Sequence, residues 1–105
     1  KSFSQAWNFG PINNDSLTVK QVLTELKLKW NKPVNIIYDN EEHLHEANFL
    51  SLDISKSSSK LGWQPILEIE NTISMTCDWY RKFYEDKNNM HQYSLDQINT
   101  YESLI

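Results

Sequence analysis

The sequence is poor in the residues that bend a chain. It holds 2 Gly and 3 Pro in 105 residues, where glycine alone normally makes up about 7%. A dinucleotide-binding turn needs three closely spaced glycines, and a P-loop needs two flanking a lysine. Gly10 and Gly62 stand far apart, so neither phosphate cradle can form in this chain. Cysteine is as scarce. Cys77 has no second cysteine with which to form an intrachain disulfide, which fits a reducing compartment such as the cytoplasm. No apolar run approaches the roughly 20 residues of a membrane-spanning helix, and no secretion-signal pattern is visible. A basic excess is missing too, since 10 Lys+Arg face 14 Asp+Glu for a net charge of -4. Nucleic acid attracts the opposite balance, so neither nucleic acid nor membrane is an expected partner.

What is present is apolar and aromatic. Hydrophobic residues make up 39%, including 4 Trp, 5 Tyr and 4 Phe, the composition of a folded domain. Residues 6–10 (AWNFG) have the look of a short strand ending in a turn at Gly10-Pro11. Val19, Val22, Leu23, Leu26 and Trp30 recur at helical spacing. Thr18 with Gln21 supplies a capping box, and Pro33 stops that helix. Residues 34–38 (VNIIY) are β-branched and short, the pattern of a strand. Residues 39–45 form a polar loop, and 48–52 are expected to be extended. Asp53 or Ser55 can cap a short helix through Lys60-Leu61, with Gly62 in the left-handed position and Pro65 as a stop.

The longest helix is expected from about Ile66 to Glu85. Ile69, Ile73, Cys77, Tyr80 and Tyr84 form one stripe along it, widened by Trp79 and Phe83. Past Asp86 the chain turns polar, with a weak helix over 94–103. The division is therefore residues 1–87 as the folded unit and 88–105 as a polar tail. Two or three strands with amphipathic helices make a small α/β unit, thin for an independent sheet. Its helices need something to cover.

The densest polar constellation is His43-Leu44-His45-Glu46. A metal site would draw two or three ligands from it, but no cysteine is near and His91 is distant, so a fourth ligand is wanting. A histidine with a carboxylate can instead bond a phosphate and a ribose. Composition alone favours a solvated loop. Cys77 lies on the apolar stripe with no histidine placed to activate it, and reads as a small buried hydrophobe rather than a nucleophile. The aromatic run 79–84 has helical spacing and reads as core, not as a stacking platform. Asp39, Glu41 and Glu42 read as a hydrated acidic loop.

Several segments together resemble the C-terminal region of extended short-chain dehydrogenases/reductases that act on nucleotide sugars. Leu52-Asp53-Ile54-Ser55-Lys56 followed by Leu61-Gly62-Trp63-Gln64-Pro65 is similar to that family's leucine-aspartate-x-serine-lysine and leucine-glycine-tryptophan-x-proline segments. Thr76-Cys77-Asp78-Trp79-Tyr80 resembles its closing helix, and Asn8-Phe9-Gly10 its asparagine-x-glycine strand. Trp7 to Pro11, His45-Glu46-Ala47 and the Leu50-x-Leu52-Asp53 spacing resemble the branch that dehydrates CDP-hexoses. Counting back from Asp53, His43 stands where other branches carry an arginine, and Glu46 where they carry an aspartate. The resemblance covers residues 6 to about 84.

That resemblance implies a substrate-binding C-terminal portion, with the Rossmann half and its NAD site in a missing N-terminal domain. No tyrosine here is followed by lysine four residues on, so the family's catalytic pair falls outside this chain. The chain alone is expected to be inactive, with no catalytic residue, cofactor or metal of its own. His43 and Glu46, with His45 second, are the expected contacts to the nucleotide of a CDP-hexose. Partners are then the nucleotide sugar, the missing domain and, through uncovered apolar faces, a second copy of the chain. Alternatives are a fragment of another nucleotide-sugar epimerase, dehydratase or reductase, and a non-catalytic helical interaction domain.

Overall fold

The computed structural model describes residues 2–12, 17–39 and 52–105. They form α1 (Val19–Trp30), α2 (Ser55–Leu61), α3 (Ile69–Glu85) and α4 (Met90–Glu102), with a 3-10 turn at Lys87–Asn89 before α4.

Helix α1 begins as its sequence dictates. The Thr18 hydroxyl accepts from the Gln21 amide at 3.2 Å, and the Gln21 side chain accepts from the Thr18 amide at 2.8 Å. Two of the amides that every helix start leaves unpaired are thereby satisfied. Asn31 ends it in the left-handed region at φ 64°, a conformation asparagine tolerates better than most side chains, and Pro33 prevents continuation.

Helix α3 is the spine. Ile73 and Cys77 are 5% and 1% exposed, and they are the buried hydrophobic residues among those described. Helix α1 lies along one side of them. The Cys77 thiol points at the Leu26 carbonyl (3.9 Å), Arg81 donates to the Lys29 carbonyl (3.1 Å), and Trp30 meets Tyr84 edge-on with centroids 6.3 Å apart. These partners advance together in both helices, so α1 and α3 run parallel. Helix α4 returns antiparallel on another side. Trp79 donates to the Ser94 hydroxyl (2.9 Å) and Gln97 to the Met75 carbonyl (2.8 Å). The reversal is fixed by Asp86, whose carboxylate accepts from the Asn88 amide (3.2 Å) and the Asn89 side chain (2.6 Å).

The expected α/β fold with two or three short strands is not what forms: no strand occurs among the described residues. A strand exists only when a neighbour exchanges ladder hydrogen bonds with it. Residues 6–10 are extended, but two of their carbonyls go to side chains of α2. Lys56 Nζ donates to the Ala6 carbonyl (2.8 Å) and Ser57 Oγ to the Asn8 carbonyl (2.7 Å). Alternate carbonyls of an extended chain face one way, and here that edge is taken by a helix instead of a strand. Over 34–37 exposure alternates, with Val34 and Ile36 half-buried and lining one groove with Leu23, Leu26 and Trp30 of α1. The period-2 pattern is therefore real, and it records an extended segment with one covered face, not a sheet. Residues 48–51 lie outside the described residues.

Two further differences concern the helices. Helix α3 starts at Ile69, three residues after the expected point, and α4 starts at Met90 rather than 94. Tyr80 and Tyr84 belong to the expected stripe yet are 51% and 70% exposed. Helix α1 ends at Trp30, beside the edge of Tyr84, and covers no more of that face. The radius of gyration is 16.6 Å, against about 13 Å for a compact chain of this length. The fold is thus held by a thin core and a few specific polar contacts.

Ser57 is fully buried and holds the Asn8 carbonyl against α2. Ser57→Ala leaves that carbonyl without its donor and should destabilise the chain by about 1–3 kcal/mol. Denaturant unfolding measures this, and an unchanged midpoint would show that the clamp carries no stability.

Candidate functional site

His43, His45 and Glu46, the nucleotide contacts expected from the sequence, lie outside the described residues. The structure places the flanks of that interval. Tyr38 stands beside the first turn of α1, with Lys20 Nζ 5.7 Å from its ring centroid. On the far side Leu52 packs against Gly10, where an added Cβ would sit 3.4 Å from the Leu52 Cβ.

Beyond Leu52 the turn into α2 is built by Asp53, whose carboxylate accepts from both the amide (2.9 Å) and the hydroxyl of Ser55. The Ser55 hydroxyl, then its amide, hold the Asp53 carboxyl below its ordinary value, with slight burial opposing. Helix α2 closes on Gly62, left-handed at φ 65°, whose amide bonds the Ser57 carbonyl. A side chain there would be strained. Trp63 then swings onto Phe9, edge to face with centroids 5.1 Å apart.

That contact forms one wall of a cleft of about 330 Å³. Phe9, Pro11, Trp63, Pro65 and Ile66 line it together with Ile69 and Thr72 of α3 and Tyr101 of α4, and Glu68 supplies a carboxylate. Two motifs singled out in the sequence, 7–11 and 61–65, converge here. Tyr101 and Ile66 were not singled out for a site. Tyr101 arrives only because α4 runs antiparallel to α3, which no local pattern reveals. The lining is apolar with few polar groups, the make-up of a binding surface. Its polar side chains are Glu68, Thr72 and Tyr101. Among the described residues no cluster of His, Cys, Asp and Glu is arranged for a metal ion. Cys77 is sealed under α1, and burial, followed by the neighbouring Asp78 carboxylate, pushes its thiol pKa up. Both effects oppose the thiolate that a nucleophile requires.

With this geometry in view, comparison with known proteins gives a consistent neighbourhood. The chain is 35% identical over 79 residues, 75% of its length, to CDP-glucose 4,6-dehydratase of Salmonella typhimurium. It is similar to a nucleotide-sugar dehydratase. It is also 30% identical over 61 residues, 58% of its length, to dTDP-4-dehydro-6-deoxyglucose reductase of Escherichia coli. The chain spans about a fifth of the length of these relatives, 22% and 19%. No family model matches it, and no solved structure does. No helix of the described residues is long and apolar enough to cross a membrane.

Two outcomes follow from the titrating groups. Native Cys77 should react with a maleimide only at the rate of opening and become fast in denaturant; immediate native labelling would contradict its burial. Asp53, with its pKa lowered on folding, contributes stability that is present above its unfolded value and lost as pH falls through the folded one. Carboxyl NMR titration should therefore place Asp53 below 3.8, and Asp53→Asn should remove that part of the acid loss.

Proposed function

We propose that this chain is the substrate-holding, C-terminal part of a CDP-glucose 4,6-dehydratase. The observation that carries the reading is the 35% identity over 79 residues to such an enzyme. The two motifs that line the cleft support it, because the resemblance to nucleotide-sugar enzymes runs through both.

The expected NAD has no fitting site among the described residues. Gly62 closes a helix where a phosphate-binding turn would open one, and no strand precedes it. We assign the redox chemistry to the rest of the longer protein, as the similarity to the dehydratase suggests. This chain's share is to hold the nucleotide of the sugar. His43 and Glu46 are its contacts, with His45 second. The Glu46 carboxylate accepts from ribose hydroxyls, while His43 donates to the diphosphate, with less charge than the arginine that other branches carry.

A second reading rests on the reductase similarity: the longer protein acts on another nucleotide-linked deoxysugar. Nucleotide preference of the full-length enzyme separates the two. In that enzyme, His43→Ala and Glu46→Ala should each raise KM for CDP-glucose by about tenfold or more, the worth of a hydrogen bond to a charged group. An unchanged KM in both variants refutes the site. The chain by itself should give no heat with NAD in titration calorimetry, and tight binding would overturn the division of labour.

A further inference from the structure

The extended segment 34–38 has one face covered and its backbone bare. Val34 and Ile36 are half-buried beside α1, while Ile37 is 88% and Tyr38 58% exposed. Among the described residues, no hydrogen bond is made by the backbone of 34–38. Each residue there carries an amide and a carbonyl that call for partners, and alternate residues turn them to the same edge. The other extended segment, 6–10, differs on this point, because Lys56 and Ser57 take its Ala6 and Asn8 carbonyls. Residues 34–38 also have the composition of a chain that pairs with strands. They are Val, Asn, Ile, Ile and Tyr, with no charge, glycine or proline among them. Charge stands only at the flanks, with Lys32 before the segment and Asp39 after it.

We propose that this edge pairs with the same edge of a second copy of the chain, antiparallel and centred on Ile36. The segment's own pattern selects that occupant and that direction. An antiparallel copy sets Val34 opposite Tyr38 and Asn35 opposite Ile37, and brings Lys32 of each chain to the end where the other carries Asp39. A parallel copy would set lysine on lysine and aspartate on aspartate, which repel. About the Ile36 axis the edge of residues 34, 36 and 38 forms three hydrogen-bonded pairs, and the edge of 35 and 37 only two, so the first is the edge used. The two α1 helices then cover the same face of the ribbon, through Val34 and Ile36 of each copy. That supplies the apolar packing which an isolated two-stranded ribbon lacks. The contact is isologous, so it closes at two copies. This inference does not depend on the enzymatic reading.

Sedimentation velocity and cysteine bridging on the 105-residue chain test it. The average mass should rise with concentration from one chain towards two. Tyr38→Pro removes one ladder amide from each copy and should weaken pairing about tenfold or more. Tyr38→Ala loses the ring but keeps the amide, and should pair far better than the proline variant. Circular dichroism checks that both keep their helices. For the register, Asn35→Cys and Ile37→Cys are made as separate chains at exposed positions, and Cys77, sealed under α1, does not compete. Under mild oxidation an equal mixture should give bridges between 35 and 37, since these face each other in a pair without hydrogen bonds, where side chains stand closest. Each chain alone should bridge poorly. A monomer at every concentration, Tyr38→Pro pairing as well as Tyr38→Ala, or bridges between like positions forming as readily as mixed ones would each overturn the proposal.

Discussion

The packing of α1 on the middle of α3 is the contact on which the remaining architecture depends. It buries Ile73 and Cys77 and joins the helices through backbone carbonyls as well as side chains. The Leu26 carbonyl faces the Cys77 thiol and the Lys29 carbonyl takes the Arg81 guanidinium. Arg81 is in turn paired with Asp78 one turn back. A small residue at 77 lets the helices approach this closely. A bulky one would force them apart, because a filled interior has no slack to absorb it.

From that spine the candidate site follows. Helix α4 folds back on α3 and delivers Tyr101 to the place where α3 starts. The clamp of Lys56 and Ser57 fixes the Asn8-Phe9-Gly10 segment, and Gly62 turns the chain so that Trp63 meets Phe9. Lys56 does double duty, with its ammonium 4.6 Å from the Trp7 ring centroid as well as on the Ala6 carbonyl. The cleft is thus assembled from three separate stretches of chain, each positioned by a different local device. Such a site is only as firm as its weakest support, and with so thin a core the polar contacts carry an unusual share of the order.

Much of the helical structure is legible in the sequence, for identifiable reasons. The capping box at Thr18 and Gln21, the stop at Pro33 and the left-handed Gly62 are decided within a few residues, by hydrogen bonds and steric limits that travel with the sequence. The α3 stripe was legible because burial repeats at helical spacing. The strands were misread because a period-2 pattern reports one covered face and cannot report what covers it. For Val34 and Ile36 the cover is α1, and for the Ala6 and Asn8 carbonyls the partner is α2. The start of α4 was missed by four residues, since Met90, His91 and Gln92 offer little periodicity and their helix is set by the Asp86 turn and by packing on Trp79 and Met75.

The sequence by itself determined both ends of α1, the left-handed close of α2 at Gly62, the burial of Ile73 and Cys77, the lack of a phosphate-cradling turn and the resemblance to nucleotide-sugar enzymes, because each is written in near neighbours or in motif order. Only the tertiary structure decided that the extended segments lie on helices instead of in a sheet. It alone brought Phe9, Trp63 and Tyr101 together. Those features depend on which surfaces meet in the fold, as Phe9 meets Trp63 and Tyr101, and no local preference encodes such a meeting.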